Sequence, residues 1–241
     1  MKKLLTLGLA LILGAALVSG CGQPNGGTPA ATSSGVAGAT ESETNAGTSD
    51  EIFIWEGTVI TGLTDKGKEE KSIVIPDTAT AIDKYACDSA KMETLVIGAN
   101  VETIENAAFS GCRQLTSINI PASVKVIGDY AFDLCVNCTS ITLSEGLEEI
   151  GRNAFSCTGS DTLTLPESLV TIGEEAFMPC SGLYSIYIPA GLENIPLNTF
   201  YPDRGNTVYV KEGSWADIHF EEFVSPDPFV DNQTYLLKAY Y

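Results

Sequence analysis

The chain has 241 residues, 44% of them hydrophobic, and a formal net charge of −18. A charge of this size and sign repels nucleic acid and bare anionic membrane, so functions that depend on phosphate contacts are excluded. The chain has a single histidine, His219, and no nucleophile motif in a supporting context, which leaves little material for catalysis. We therefore predict a protein that is not an enzyme and needs no cofactor.

Residues 1–20 have the layout of an export signal. Lys2 and Lys3 precede an apolar run from Leu4 to Val18, which is shorter than the roughly 20 residues of a membrane-spanning helix. The run ends in Val-Ser-Gly-Cys, which resembles the bacterial lipobox, where cleavage precedes the cysteine and its thiol receives a diacylglycerol. We expect lipidated Cys21 to be the only membrane anchor, on the outer face of a bacterial membrane. The alternative is a plain secretory signal with an incidental cysteine.

Residues 21–50 are predicted to be a flexible linker that starts at the lipidated cysteine. They consist mainly of Gly, Ala, Ser and Thr, so they have no large apolar surface to offset the entropy of folding. A coil of this length holds a domain roughly 30 Å from the lipid. A glycosylated stalk is the alternative interpretation.

Residues 51–71 are predicted to be an N-terminal cap. An apolar run that contains Trp55 precedes a polar turn rich in Lys, Glu and Gly. We expect a strand or hairpin that covers the first repeat. Trp55 is interpreted as part of the cap packing in preference to a ligand platform.

Residues 72–213 repeat one unit of 22 or 23 residues. An isoleucine marks each unit, at Ile82, Ile104, Ile127, Ile150, Ile172 and Ile195. Five positions later stands a phenylalanine in all units but the first, where Cys87 replaces it: Phe109, Phe132, Phe155, Phe177 and Phe200. A period of this length is typical of solenoids.

Each unit also contains a short segment of alternating apolar and small polar residues, which indicates a strand with one buried face. The segments are SIVIP at 72–76, TLVIG at 94–98, SINIP at 117–121, SITLS at 140–144, TLTLP at 162–166, SIYIP at 185–189 and TVYVK at 207–211. We expect parallel strands about 4.8 Å apart. The phenylalanines should form a column of rings in the core, and a second apolar pair in each unit, such as Val124 and Ile127, should form the opposite wall.

Residues 214–241 are predicted to be a C-terminal cap and tail. The segment GSWADIHFEEF at 213–223 predicts a short helix with Ser214 as its N-cap. Its apolar face should contain Trp215, Ile218 and Phe223. Prolines then break any helix, and the aromatic residues of the tail favour partial docking on the cap.

Six cysteines follow Cys21 in the sequence. Four lie two or three positions after a repeat phenylalanine and are expected to form a second buried column: Cys112, Cys135, Cys157 and Cys180. Cys135 and Cys138 have Cys-x-x-Cys spacing, but we reject a redox or metal pair because the repeat explains Cys135 and no second pair accompanies it. Export permits disulfides, so the disulfide state of these four, Cys87 and Cys138 stays open.

The repeat resembles the leucine-rich repeats of the BspA-like, or treponemal, type, L-x-x-I-x-I-P-x-x-V-x-x-I-G-x-x-A-F-x-x-C. One unit matches in order at Leu115, Ile118, Ile120, Pro121, Val124, Ile127, Gly128, Ala131, Phe132 and Cys135. The resemblance implies a leucine-rich-repeat solenoid, β-dominated, with parallel strands stacked by coil, short helical turns and a cap at each end. It also implies surface adhesion or partner binding, and it carries over no catalytic residue. Pro196 replaces the glycine of the pattern, as expected of a coil beside a cap.

The outward side chains of the predicted strands are the natural recognition surface of a solenoid. One outward row contains only Ser and Thr and is interpreted as cross-strand pairing. The other row supplies the candidate binding residues Asn119, Thr142, Thr164, Tyr187 and Tyr209. Exposed tyrosines are frequent interface anchors and can also hold a sugar ring. The equal alternative is that the two tyrosines pack against the C-terminal tail.

Acidic pairs such as Glu148/Glu149 and Glu174/Glu175 are interpreted as solubilising. They could bind calcium or a basic partner, but no loop has calcium-ligand spacing, so no metal residue is predicted.

These features together predict a monomeric bacterial cell-surface lipoprotein that acts as an adhesion or protein-binding module. Its expected partner is a host or bacterial surface protein, or a glycan. The alternatives are a carbohydrate-capturing lipoprotein and a structural component of the envelope.

Overall fold

The computed structural model describes residues 49–178, 183–200, 207–223 and 237–241. The predicted export signal and Cys21 lie outside these residues, as do most of the linker and Cys180. The described residues belong to one unit that spans 45–241.

The N-terminal cap is an antiparallel hairpin between two short helices. Its elements are α1 (Ser49–Ile52), β1 (Phe53–Glu56), β2 (Val59–Leu63) and α2 (Asp65–Glu69). Trp55 packs edge-on against Phe53, with ring centroids 5.9 Å apart, which agrees with its interpretation as cap packing. The predicted polar turn is instead helix α2, because the Thr64 hydroxyl accepts a hydrogen bond from the Gly67 N–H and caps it.

The alternating segments form the predicted long strands. These are β3 (Ser72–Val74), β5 (Thr94–Val96), β7 (Ser117–Ile120), β9 (Ser140–Leu143), β11 (Thr162–Thr164), β13 (Ser185–Tyr187) and β14 (Thr207–Val210). They pair in parallel, and like positions of successive units face each other, as Ile118 faces Ile141. Hydrogen bonding divides them into three groups, β3–β5, β7–β9 and β11–β13–β14, and the last group gains β15 (Leu237–Tyr240) from the tail.

The opposite wall of each coil is also a strand, only two residues long. The short strands are β4 (Ala81–Ile82), β6 (Thr103–Ile104), β8 (Val126–Ile127), β10 (Glu149–Ile150) and β12 (Thr171–Ile172). With β1 and β2 they form one seven-stranded sheet. The sequence predicted this wall as apolar but not as a sheet, because two residues are too few to show an alternating pattern.

The phenylalanine column fills the space between the long strands and the seven-stranded sheet. Successive rings from Phe109 to Phe200 are nearly parallel, with centroids 5.1, 5.4, 5.2 and 5.9 Å apart. All five rings are at most 1% exposed. The prediction of a leucine-rich-repeat solenoid with a stacked aromatic core is confirmed.

Two hydrogen-bond ladders of opposite direction join neighbouring coils. In the turn that holds the phenylalanine, alternate N–H groups donate to the following coil: Tyr85 to Asn106, Cys87 to Ala108, and Ser89 to Ser110. In the short-strand sheet, N–H groups donate to the preceding coil: Glu102 to Thr80, and Glu105 to Ile82. Each coil is therefore fixed to its neighbours by backbone bonds as well as by apolar contacts.

The short-strand ladder ends at Pro196. In the preceding coils the residue after the isoleucine donates its N–H to the isoleucine one coil back, as Gly173 donates to Ile150 at 2.8 Å. Pro196 occupies this position and has no N–H, so it cannot bond the Ile172 carbonyl. The last ring pair, Phe177 and Phe200, is also the widest at 5.9 Å and is tilted by 13°. The final coil therefore separates from its neighbour on this side.

Cys112 and Cys135 form the expected buried column. The Cys112 thiol donates to the Cys87 carbonyl at 3.2 Å, and the Cys135 thiol donates to the Phe109 carbonyl at 3.5 Å. All described cysteines have free thiols. Their role in this structure is packing.

The prediction that Cys157 belongs to this column is wrong. Cys157 is half-buried and has φ +57°. It lies two residues after its phenylalanine, at the position where Gly111 has φ +70°. The buried position three residues after the ring is Thr158, whose hydroxyl donates to the Phe155 carbonyl at 2.6 Å.

The C-terminal cap contains two one-turn helices, α3 (Trp215–Ile218) and α4 (Phe220–Phe223). Ser214 caps α3 as predicted, since its hydroxyl accepts from the Asp217 N–H. The predicted apolar face is wrong at Ile218, which is 70% exposed, whereas Phe220 is buried. Helix α3 ends at its C-cap His219, and Phe220 begins the separate helix α4.

Candidate binding surface

The five candidate residues all lie on the outward side of the long strands. Asn119, Thr142 and Thr164 are exposed, and Tyr187 and Tyr209 are half-buried. Asn119 faces Thr142 across β7 and β9, and Thr164 faces Tyr187 across β11 and β13. The strands thus place these side chains in one row, in the order that the repeat predicts.

Tyr187 and Tyr209 stack face to face. They occupy facing positions of β13 and β14, and their rings lie 4.4 Å apart and within 6° of parallel. One face of each ring is therefore in contact with the other ring. The second face of each ring is not used by this stack.

The C-terminal tail covers part of this pair. Strand β15 places Ala239 opposite Tyr209, and the Tyr241 ring lies edge-on against Tyr187 at 5.6 Å. The Tyr241 hydroxyl donates to the Ile188 carbonyl at 2.8 Å. The interpretation that the tyrosines pack against the tail is therefore correct in part, because both rings keep some exposure. We call Tyr187, Tyr209 and Tyr241 the tyrosine cluster.

An ion pair borders the tyrosine cluster. Lys211 Nζ lies 3.9 Å from a Glu167 carboxylate oxygen and 5.5 Å from the centroid of the Tyr241 ring. Burial, followed by the negative charge of Glu167, raises the pKa of the Tyr241 phenol. The hydroxyl thus stays protonated and remains a hydrogen-bond donor at neutral pH.

A second, apolar patch lies on the same face, and its residues are not among the candidate binding residues. Val74 and Val96 face each other across β3 and β5 and are 54% and 56% exposed. They belong to the same outward row as the candidates, so counting the alternation identifies them. Tyr241 has no such signal, since it reaches the row from 54 residues beyond Tyr187 in sequence.

The buried cysteines are poor nucleophiles. Burial raises the pKa of the Cys112 thiol to about 12, and it also raises the pKa of Cys87, Cys135 and Cys138. The Cys138 thiol donates to the Ser140 carbonyl at 3.3 Å, and the backbone N–H of Cys138 donates to the Cys135 carbonyl at 2.9 Å. A reactive thiol requires the opposite shift.

The stacked coils, with long strands on one side and short strands on the other, define a leucine-rich-repeat solenoid. Over residues 71–206 the chain matches the family described as BspA type leucine rich repeat region, in six copies. This match spans more than half of the sequence, so the chain belongs to the BspA type leucine-rich-repeat family.

Solved structures support the same fold. The leucine-rich-repeat protein of T. pallidum, TpLRR, is 25% identical, with a TM-score of 0.55 over 63% of this chain and 78% of that one. A leucine-rich-repeat protein from Eubacterium ventriosum is 17% identical, with a TM-score of 0.58 over 77% of this chain and 54% of that one. The chain thus spans about half of the second protein. Comparison with curated proteins gave no match.

Family membership sets the general class of function. Proteins of this fold are generally non-enzymatic binding modules, and the repeat domain is consistent with a bacterial surface protein-binding module. BspA type repeats also favour an extracellular or surface location. None of the described helices is both long and apolar enough to cross a bilayer.

Proposed function

We propose that this chain is a bacterial cell-surface lipoprotein that binds a partner protein through the outward row of its long strands, in adhesion. The observation that carries the proposal is the Tyr187–Tyr209 stack, which is held half-exposed on paired strands. Tyrosine gives a large contact area for little loss of side-chain entropy, and a stacked pair loses still less on binding. No catalytic step is part of this function.

The partner is a host or bacterial surface protein. The outward row is a sheet face with polar side chains at Asn119, Thr142 and Thr164 and aromatic side chains at one end, which is the usual mixture of a protein interface. The formal charge of −18 favours a partner whose contact face is basic. The protein acts as a monomer, held to the membrane by the lipid on Cys21 alone.

A carbohydrate-capturing role is the second candidate. Ala239 is the residue opposite Tyr209 in β15, and a methyl group cannot cover the outer face of the Tyr209 ring. A sugar ring stacked there would gain the contact that the Tyr187 ring makes on the other side.

Binding of the protein to arrays of host extracellular proteins and of glycans tests both candidates. The variant Tyr187→Ala/Tyr209→Ala should lose about tenfold or more in affinity, since anchor residues typically contribute 2 kcal/mol or more. The matched control is Ser117→Ala/Ser140→Ala, which truncates two exposed residues on the outward side of the β7–β9 pair and should bind normally. Binding to proteins only supports the first candidate, and binding to glycans only supports the second. Equal binding by the tyrosine variant and the wild type would exclude this surface.

A further inference from the structure

A crevice opens where the seven-stranded sheet ends. It lies between β12 and the following coil, has a volume of about 330 Å³, and is lined by Val170, Thr171, Ile172, Gly191, Glu193 and Asn194. We call it the β12 crevice. It belongs to the short-strand sheet, so it is separate from the tyrosine cluster and does not depend on the proposed function.

Pro196 removes one of the backbone bonds that would close the β12 crevice. The coil before it shows the bonds that a glycine at this position allows: Val170 and Thr171 donate to the Glu148 carbonyl, and Gly173 donates to the Ile150 carbonyl. The equivalent acceptors one coil later are the Val170 and Ile172 carbonyls. Pro196 has no N–H for the second of these, and no residue in the described part of the chain donates to either. The edge of β12 is therefore open.

The open edge offers hydrogen-bond acceptors at the spacing of a strand. The Val170 and Ile172 carbonyls are two residues apart, and alternate backbone groups of a strand face the same neighbour. Val170 itself is 62% exposed and supplies an apolar contact at the rim. An added segment of extended chain would thus find both backbone and side-chain contacts, as in other cases of strand addition.

The side chains of the crevice select a basic ligand. Glu193 is exposed and lines the opposite wall from the two carbonyls, so the acceptors and the negative charge converge on the same space. Thr171 and Asn194 add polar groups, and the described residues that line the crevice include no Lys or Arg. The formal charge of −18 strengthens the attraction for a cation.

From this geometry we propose that the β12 crevice binds a basic extended peptide segment of a partner protein. The peptide backbone donates N–H groups to the Val170 and Ile172 carbonyls, and an arginine or lysine side chain of the peptide pairs with Glu193. Since Pro196 has no N–H for the Ile172 carbonyl, the same residue that ends the sheet also leaves this acceptor to the peptide.

The test uses the full chain and the capped peptide Ac-Val-Arg-Val-Arg-NH₂, with the citrulline version of the peptide as its neutral control. Saturable binding of the arginine peptide, with NMR shifts of the amides of residues 171, 173, 193 and 194, is expected. The citrulline peptide should bind about two- to fivefold more weakly, which is the effect of one partly exposed ion pair. Equal affinity of the two peptides, or no binding of either, would overturn the proposal.

Three variants test the site itself. Pro196→Gly restores the residue of the preceding coils, which should let the coil close and should reduce affinity about tenfold or more. Gly191→Leu fills the crevice without strain, because a Cβ at Gly191 has no atom within 4 Å, and it should also abolish binding. Glu193→Gln should weaken the arginine peptide only, whereas the control Glu149→Gln, an exposed acid in β10, should not change binding.

Thermal melting checks that each variant is folded. If Pro196→Gly melts early, Gly191→Leu decides the question in its place. Unchanged arginine-peptide binding by a folded Pro196→Gly or Gly191→Leu protein would show that the peptide binds elsewhere, and the proposal would be wrong.

Discussion

The Phe132 and Phe155 rings lie 5.4 Å apart and within 5° of parallel, and Phe177 stacks on the other side of Phe155 at 5.2 Å. Replacing Phe155 by alanine should lower the free energy of unfolding by about 3 to 5 kcal/mol, because it leaves a cavity and removes two ring contacts. Phe200 has one described ring neighbour, at 5.9 Å, so Phe200→Ala should cost less. Urea unfolding of both variants, with Phe155→Leu as the control, measures the difference. Equal losses would contradict the column as a cooperative unit.

Cys112 should make stability depend on alkaline pH. Burial raises the pKa of its thiol to about 12, whereas an unfolded cysteine ionises near pH 8.5. Between these values the unfolded chain has lost a proton that the folded chain keeps, so the free energy of unfolding falls as pH rises. Cys112→Ala should be less stable at pH 7, but its free energy of unfolding should fall less steeply above pH 8.5. The slopes of the two proteins should differ by up to about 1.4 kcal/mol per pH unit.

Urea unfolding between pH 7 and pH 10.5 gives both slopes for this comparison. Lysines and tyrosines also titrate in the upper part of this range, but they are common to the two proteins and cancel in the difference. Parallel curves would mean that the folded Cys112 thiol ionises as readily as the unfolded one.

The Asp217–Lys238 pair should hold the C-terminal strand in place. Lys238 Nζ lies 2.7 Å from an Asp217 carboxylate oxygen and donates to the Asp217 backbone carbonyl. The hydrogen bond from Lys238 lowers the pKa of Asp217 below its ordinary value. Asp217→Asn should therefore speed hydrogen exchange at the amides of β15 and leave the coils unchanged, whereas Glu221→Gln, on the same cap, should have no effect.

The pH dependence of this docking has a definite sign. Because the folded pKa of Asp217 is lowered, its contribution to the stability of the docked strand is fully present above the unfolded pKa, near 3.9. This contribution is lost as the pH falls through the folded pKa. Exchange protection of β15 should then persist at mildly acidic pH and disappear only below about pH 3.9. Loss of protection near pH 6 would point to another group.

The proposed lipid anchor makes a prediction about where the protein is found. Cys21→Ala removes the thiol that would receive the diacylglycerol, so the protein should move from the membrane fraction to the medium. Cell fractionation and labelling with a radioactive fatty acid measure the change. The variant Cys157→Ala, which removes a thiol from the repeat, is the control and should stay with the membrane. Membrane association of Cys21→Ala would exclude lipidation as the anchor.

The repeat was predictable from the sequence because one coil is nearly a copy of the next. Each of the five isoleucine-to-phenylalanine steps has the same length. A wrong interpretation of one copy is therefore corrected by comparison with the others. The strand positions and the inward or outward side of the candidates Asn119 and Tyr187 follow from the same repetition. The fold therefore needed no contact information beyond the period.

The sequence prediction is wrong at two positions where the repeat pattern does not hold. Cys157 lies one residue closer to its phenylalanine than Cys135 does, and one residue is enough to move a side chain from the core to the turn. The predicted apolar face assumes one helix through His219, but α3 ends there and α4 is a separate turn. Counting from the ring would have corrected the first error, whereas the break has no clear signal in the sequence.

Long-range relationships were not predictable from the period. The contact of Tyr241 with Tyr187 joins the tail to a strand more than 50 residues earlier. Pro196 was recognised as a departure from the repeat, but its consequence for the neighbouring coil depends on which carbonyl its missing N–H leaves open. The Tyr241 contact and the effect of Pro196 both depend on which segments are paired in three dimensions, and the period of the repeat does not give this information.

The opposite directions of the two backbone ladders have an electrostatic consequence. Tyr85, Cys87 and Ser89 direct their N–H groups towards the following coil, while Glu102 and Glu105 direct theirs towards the preceding one. Peptide dipoles that point opposite ways oppose each other, so these two ladders do not add up along the stack as the peptide units of a long α-helix do. Each further coil that carries both ladders therefore adds opposing dipoles rather than lengthening a single macrodipole.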